Sequence, residues 1–382
     1  MSWYCSVWGR GYLARVLGGA AKPIYIYKEG HLMQATGARI AVVGAGMAGA
    51  ACSRLFTEAG MTVSLFDKSR GVGGRMSTRR AEWAADDGAL HRARFDHGAP
   101  GFTAQSPEFI RVLEKFAAQG LLSTWVPRIT PCTVTTESVW WVPTPDMPAL
   151  CRALCTGLEL RTECTIDALV RGPEGWSLSS AGAFVGSGFD AVIIAIPPQQ
   201  AAPLLAPHQT EWSQCAQGLM MLPAWVLMGI TEHTDPAWPC WDLARPSSGV
   251  IDLLIRNDTK PGRDRFSGRV HWVAHATASW SQEHLEAPAI EVQGALQKAV
   301  ADLIDGSPMK WLYTAVHRWR YASAATPSKS GMVTPFWWDA NLGLGVCGDA
   351  LSGPGVEGAW CSAQALTHCV LAHARPAASA CG

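Results

Sequence analysis

The sequence predicts an α/β protein in which a parallel sheet is interleaved with a second domain built on a mainly antiparallel sheet. Three observations carry that reading: a strand, turn, helix and strand within residues 38–67, a continuous apolar run at 191–196, and alternating Trp-rich stretches between roughly 205 and 334. Residues 38–43 (ARIAVV) are short, apolar and β-branched and end at Gly44, and residues 47–58 then read as a helix closed by Gly60. Residues 62–66 (TVSLF) form a second strand with Asp67 at its end. A βαβ unit of this kind crosses over right-handedly, which makes its two strands parallel. Downstream, residues 138–142 (SVWWV) read as a strand, and Asp146 with Pro148 opens a helix carrying Leu150 and Leu154. The run 191–196 (AVIIAI), stopped by Pro197 and Pro198, has the pattern of a strand buried on both faces and joins the first sheet. Stretches such as 270–274 suit an antiparallel sheet. Near the end, a strand reaches Asp349, a loop at 352–355 follows, and a helix runs over 356–372. With no internal repeat or long linker, the domains interleave: 38–105, 155–204 and 335–382 form the first, 106–154 and 205–334 the second. Residues 1–37, with Met33 just ahead of the first strand, read as an extension outside the fold.

Composition narrows the function. Charged residues make up 16% of 382 and apolar ones 48%, so much of the chain is interior. Lys plus Arg (31) balance Asp plus Glu (31), which leaves no net field to attract nucleic acid or an anionic bilayer. The longest uncharged apolar stretch, 218–230, is broken by Pro223 and is too short to span a membrane. Twelve cysteines are scattered without a CxxC pair, Cys151 and Cys155 lying one helical turn apart. They read as buried free thiols in a cytoplasmic protein. Arg10 and Arg15 argue against a secretory leader. His271 and His275 share one strand face without a third ligand, so satisfied sheet histidines and no metal are expected. No G-x-S-x-G is present, which argues against an α/β-hydrolase.

The chemistry-bearing motif is Gly44-Ala45-Gly46-Met47-Ala48-Gly49, a G-x-G-x-x-G placed after a strand and opening a helix. Its first glycine makes the turn, the second admits a pyrophosphate to the backbone, and the third lets helix and strand pack closely. The helix N-terminus offers free N–H groups to phosphate, and Asp67, 18 residues after Gly49, can accept ribose hydroxyls. A second match at 343–348 has its glycines inside the strand and is a decoy. Lys68-Ser69-Arg70-Gly71-Val72-Gly73-Gly74-Arg75-Met76 can fold back over a pyrophosphate.

Together with Phe95-Asp96-His97-Gly98-Ala99, Trp319-Arg320-Tyr321-Ala322, Gly348-Asp349 and Gly355-Val356-Glu357-Gly358-Ala359, these segments resemble flavin-dependent oxidoreductases with a glutathione-reductase-like FAD domain. Within the flavin amine oxidase superfamily they look like renalase and the renalase-like oxidoreductases, from Ala38 to the C-terminus. The resemblance implies a noncovalent FAD held by Gly44, Gly46, Met47, Ala48, Gly49, Asp67, Lys68, Gly74, Arg75, Met76, Gly98, Ala99, Ile166, Asp349 and Val356. In that scheme Asp67 faces the adenosine ribose, Ile166 the adenine, Arg75 the phosphates and flavin, Asp349 the ribityl chain or pyrophosphate, and Val356 begins a helix aimed at the flavin pyrimidine edge. Trp140, Trp141, Trp337 and Trp338 are candidates for a wall against a flat substrate.

The activity implied is hydride transfer from a flat reduced small molecule, such as an isomeric dihydronicotinamide nucleotide, to flavin N5, with dioxygen returning the flavin to its oxidised form and yielding hydrogen peroxide. Rearomatisation drives the transfer, so no general base is required and no catalytic acid–base residue is assigned. Pro100-Gly101 departs from the polar and aromatic residues the family tends to carry there. One rival is an amine oxidase of the monoamine oxidase type, with Lys310 and Lys329 as the candidate lysines; another is a catalytically silent FAD- or nucleotide-binding protein.

Overall fold

The computed structural model describes residues 37–84, 88–130, 139–232, 239–325 and 334–374. Residues 1–36 of the 1–37 extension, together with Lys329, lie outside the described residues. The predicted βαβ unit forms with Arg39–Val43, Met47–Glu58 and Thr62–Phe66. Its strands pair in parallel, Val43 opposite Phe66, and Ala191–Ile194 adds in parallel on the other side, Val43 opposite Ile194. The six-stranded sheet runs Phe336–Asp339, Leu344–Cys347, Ala191–Ile194, Arg39–Val43, Thr62–Phe66, Glu159–Arg161, antiparallel only at its first pair.

Alternation along the central strand explains why both faces are covered. Ile40 and Val42 point into a core shared with the helices Met47–Glu58 and Gly355–Ala374, where Phe56, Ala363 and Leu366 are fully buried. Ala41 and Val43 point the other way, onto Trp176, Leu178 and Phe189 of a three-stranded antiparallel sheet and onto the helix Pro198–Leu205. A strand buried on both sides must be apolar at every position, as this one is after Arg39.

The second six-stranded sheet runs Trp311–Ala324, Met221–Glu232, Arg269–Ala276, Ile251–Arg256, Leu243–Ala244, Ile129–Thr130. It is antiparallel except for its last pair. One face packs on the helix Ala289–Ile304 through Trp272, Leu254, Val292 and Leu296. The opposite face carries Val226, Met228, Ile230 and Val273 onto the hairpin Arg79–Ala84 and Leu90–Phe95. Beyond that hairpin the same face continues with Ala224, His275, His317 and Trp319 next in the alternation, and there it walls a cavity.

Among the described residues no helix is long and apolar enough to cross a membrane, and every cysteine is free. Cys151 and Cys155 are buried, and burial pushes both thiols up, Cys155 to about 11. The decoy glycines do lie in and around a strand, Leu344–Cys347.

Candidate dinucleotide-binding and active site

Gly44 takes φ +105 at the end of the first strand, a conformation that favours glycine, and a Cβ there would sit 2.6 Å from the Ala195 carbonyl oxygen. The turn returns its N–H to the Phe66 carbonyl at 2.7 Å. Asp67 is buried and accepts from the backbone N–H of Ala45 at 2.6 Å and of Ser69 at 2.7 Å, one bond to each carboxylate oxygen. Two backbone donors leave roughly two of its four lone-pair positions for a ligand hydroxyl. Gly49 faces the turn, where a Cβ would lie 1.7 Å from the Gly44 carbonyl oxygen. Gly46 faces open space: the nearest atom to its Cβ position is the Gly74 Cα at 3.9 Å.

The helix starting at Met47 has no side-chain cap and no acidic residue in its first turn, so its leading N–H groups stay available to an anion. The final helix repeats the device. Gly358 lies where a Cβ would be 1.7 Å from the Gly353 carbonyl oxygen, matching Gly49 against Gly44. Its one first-turn acid, Glu357, is turned onto the N–H groups of Gln105 and Ser106 at 2.9 and 2.5 Å.

Both helix starts open on one cavity of about 1260 Å³. Pockets for one drug-sized ligand are typically about 300–1,000 Å³, so this one is larger than such a molecule needs. Gly44, Gly46, Met47, Ala48, Asp67, Lys68, Gly74, Arg75, Met76, Gly98, Ala99, Ile166, Asp349 and Val356 all line it. Gly49 does not; it is consumed in packing the helix on the turn. Lys68 donates to Gln200 at 3.2 Å, and Arg75 and Asp349, 274 positions apart, form a two-bond ion pair at 2.8 and 2.6 Å. Gly98 sits where a Cβ would be 1.9 Å from the Arg75 carbonyl oxygen, and the Ala99 N–H donates to that same oxygen at 2.8 Å. The cradle of Gly46 against Gly74, both helix starts and the glycine approaches fit a dinucleotide.

The tryptophans divide. Trp337 lines the cavity and packs against Trp212 at 5.7 Å. The other three are away from it. Trp140 is buried edge-on to Trp125, Trp141 bridges Phe102, and Trp338 packs on the core beside Leu366 and Gly345.

Sequence reasoning missed the wall facing the glycine motifs. His97, His275, His317 and Trp319 meet there: His97 stacks on Trp319 at 5.3 Å and lies edge-on to His317 at 4.7 Å, and Trp319 Nε1 donates to the His97 carbonyl at 2.8 Å. Burial, then the neighbouring His317, lowers His97 to about 4, and burial lowers His275 to about 3. The imidazoles are therefore neutral at pH 7. The expectation of satisfied sheet histidines fails, because both ring nitrogens of His271 and Nε2 of His275 find no partner among the described residues. His271 lies instead against the rings of Phe95 and Phe266. No group of three metal-ligating side chains occurs among the described residues.

Behind this wall, Asp96 is ion-paired to both Lys260 and Arg263, all three fully buried, and accepts from the Thr78 hydroxyl at 2.6 Å. Burial would raise Asp96, but the two cations outweigh it and hold the carboxyl low; burial brings Lys260 down to about 8. The Lys260 ammonium also donates to the Pro100 carbonyl at 2.8 Å, fastening the loop that forms the cavity wall.

The profile of the NAD(P)-binding Rossmann-like domain matches residues 42–116. The chain shares its fold with solved structures of oxidases. A candidate protoporphyrinogen oxidase from Exiguobacterium sp. 255-15 superposes with a TM-score of 0.66 at 11% identity, over 88% of this chain and 99% of that one. A cyclohexylamine oxidase from Brevibacterium oxydans gives 0.64 at 12% over the same shares, and an oxidoreductase from Methanosarcina mazei 0.55 at 13% over 86% and 100%. At these identities the likeness is one of fold. The tRNA 5-methylaminomethyl-2-thiouridine biosynthesis bifunctional protein of Magnetococcus marinus is 28% identical over 232 residues, 48% of this chain. The match spans about a third (33%) of that longer protein.

Proposed function

We propose that the chain is an FAD-dependent oxidoreductase of the flavin amine oxidase superfamily, with FAD held noncovalently and a flat, reduced small molecule as substrate. The observation that carries this reading is convergence: the two glycine-led helix starts, the Gly73–Gly74–Arg75 loop and Gly98–Ala99 line one cavity whose far wall is another sheet. In this reading residues 38–105, 155–204 and 335–382 serve the dinucleotide, residues 106–154 and 205–334 serve the substrate, and the protein is cytoplasmic. The cavity is larger than one drug-sized ligand takes, as a dinucleotide site must be.

When bound, FAD supplies the hydride acceptor, and dioxygen takes the electrons onward to hydrogen peroxide. The chain's part is binding and orientation. Met47 and Ala48 present N–H groups to the pyrophosphate, Asp67 the ribose contact, Ile166 an apolar face for adenine, and the Arg75–Asp349 pair a polar rail between the two helix starts. His97, His275 and His317, held neutral, give a substrate hydrogen-bonding partners without taking its protons. A dihydronicotinamide needs that from its oxidant, since rearomatisation drives its oxidation.

The fold neighbours favour one second reading, amine oxidation, since a cyclohexylamine oxidase is among them. Of the two candidate lysines, Lys310 does not serve, because it is exposed and paired with Glu232 at 2.9 Å, and Lys329 lies outside the described residues. The deciding experiment is anaerobic stopped-flow bleaching of the purified yellow protein. Rapid bleaching by dihydronicotinamide isomers, with colour restored by air, is the expected result. Bleaching by amines alone supports the second reading, and a yellow protein inert to both overturns the oxidoreductase assignment.

A further inference from the structure

A second concavity, of about 480 Å³, lies at the opposite end of the antiparallel sheet and shares no lining residue with the first. Four guanidinium groups line it, from Arg128, Arg256, Arg265 and Arg269, against two carboxylates, Asp242 and Asp258. Both carboxylates are already engaged. Asp242 takes a two-bond pair from Arg128 at 2.9 and 3.0 Å, and Asp258 accepts from Arg256 at 3.3 Å and from the His271 N–H at 3.1 Å. Arg265 is left on the carbonyl oxygens of Asp258 and Thr259, and Arg269 on His91 Nδ1. Neither has a carboxylate partner among the described residues, while the nearby Asp264 is taken by Arg94 at 2.8 Å. Arg256 is buried, and its Nε finds no acceptor.

The wall therefore holds two more cations than anions and a surplus of N–H donors, the donor set that recognises phosphate oxygens. Beside those cations Phe266 is exposed, an apolar ring at the cavity lining whose centroid lies 5.4 Å from that of His271. An exposed ring next to unpaired guanidinium groups is a platform for a flat base carrying a phosphate.

We propose that this concavity is a binding site for a nucleoside monophosphate, its phosphate held by Arg265 and Arg269 and its base laid on Phe266. The site goes beyond the oxidoreductase reading and does not depend on it. Its loop has a direct connection to the first cavity, because Thr259 adjoins Lys260, which holds the Pro100 carbonyl.

Isothermal titration calorimetry on the full chain, with FAD saturating, tests the proposal using AMP, inorganic phosphate and adenosine as probes. AMP is expected to bind saturably at one site, tighter than either fragment. The double variant Arg265→Ala/Arg269→Ala should weaken AMP at least tenfold, and Phe266→Ala should weaken AMP while leaving inorganic phosphate unchanged. No saturable heat with AMP, or equal AMP affinity in the double variant, overturns the site. If the chain takes up no FAD, the oxidoreductase reading falls. The same titration on the apoprotein then still decides, because AMP at the proposed site is lost in the double variant and kept in Gly46→Val, and the reverse pattern overturns it.

Discussion

At Gly46 an added Cβ would find no atom beyond its chain neighbours closer than the Gly74 Cα at 3.9 Å, whereas at Gly49 it would meet the Gly44 carbonyl oxygen at 1.7 Å. Two glycines of one motif thus answer to different constraints, ligand access at the first and helix packing at the second. Gly46→Val is expected to leave the melting temperature of the apoprotein within a degree or two and to abolish flavin uptake, read as the absorbance ratio of flavin to protein. Gly49→Ala is expected to lower soluble yield and melting temperature before any ligand is added. Retained flavin in Gly46→Val would remove the site assignment. Asp67 carries both duties, since its carboxylate already holds the turn through Ala45 and Ser69. Asp67→Ala should therefore weaken FAD binding by about 1–3 kcal/mol and also destabilise the apoprotein, the cost of losing charge-assisted hydrogen bonds. Fluorescence titration and thermal melts check the two effects, and an unchanged apoprotein melt would show that the turn does not rely on the carboxylate.

At the scale of elements, the strands Arg269–Ala276 and Trp311–Ala324 each use one face twice, over the hairpin at one end and over the cavity at the other. Burial there makes the histidines poor proton acceptors. His97 binds a proton near pH 4 when folded and near 6.5 when unfolded, so between those values the unfolded chain holds protons the folded chain refuses. Stability is full above pH 6.5 and falls as pH drops toward 4, by on the order of 3 kcal/mol for this residue. Denaturant melts at pH 7 and pH 5 should show the loss, and His97→Gln should reduce it; equal pH slopes for the two proteins would contradict the shift. The buried triad gives a second contrast. Asp96→Ala strands two buried cations and should cost about 3–5 kcal/mol, while Lys260→Met leaves Asp96 with Arg263 and Thr78 and should cost distinctly less. Urea unfolding of both variants measures the order, and a reversed order would refute the view that Asp96 is the hub.

For the whole molecule, the cavity exists because two sheets built on different rules meet at an edge neither covers. The parallel sheet brings helix starts to its strand ends, and the antiparallel sheet brings a face with large side chains. A ligand clamped this way needs no covalent link. Acid precipitation is expected to release all flavin to the supernatant, and yellow colour remaining with the pellet would contradict noncovalent binding.

The features legible in the amino-acid order are those that short-range rules govern. The helix Met47–Glu58 and the strand Thr62–Phe66 fall on the expected residues, and the final helix extends the expected span only slightly, to Gly355–Ala374. Glycine turns, apolar period and strand-end acids act within a few residues, so their consequences are written locally. The same period placed His271 and His275 on one face, yet it could not say what that face meets. It took the packing of distant elements to set that His275 walls a cavity while His271 is buried against Phe95, that Trp337 reaches the site while Trp140 packs in the core, and that Arg75 pairs with Asp349. The Asp96, Lys260 and Arg263 cluster had no legible signal for the same reason. Asp96 lies more than 160 positions from Lys260 and Arg263, and long-range pairing of charges is set by how whole elements pack, which no local pattern records.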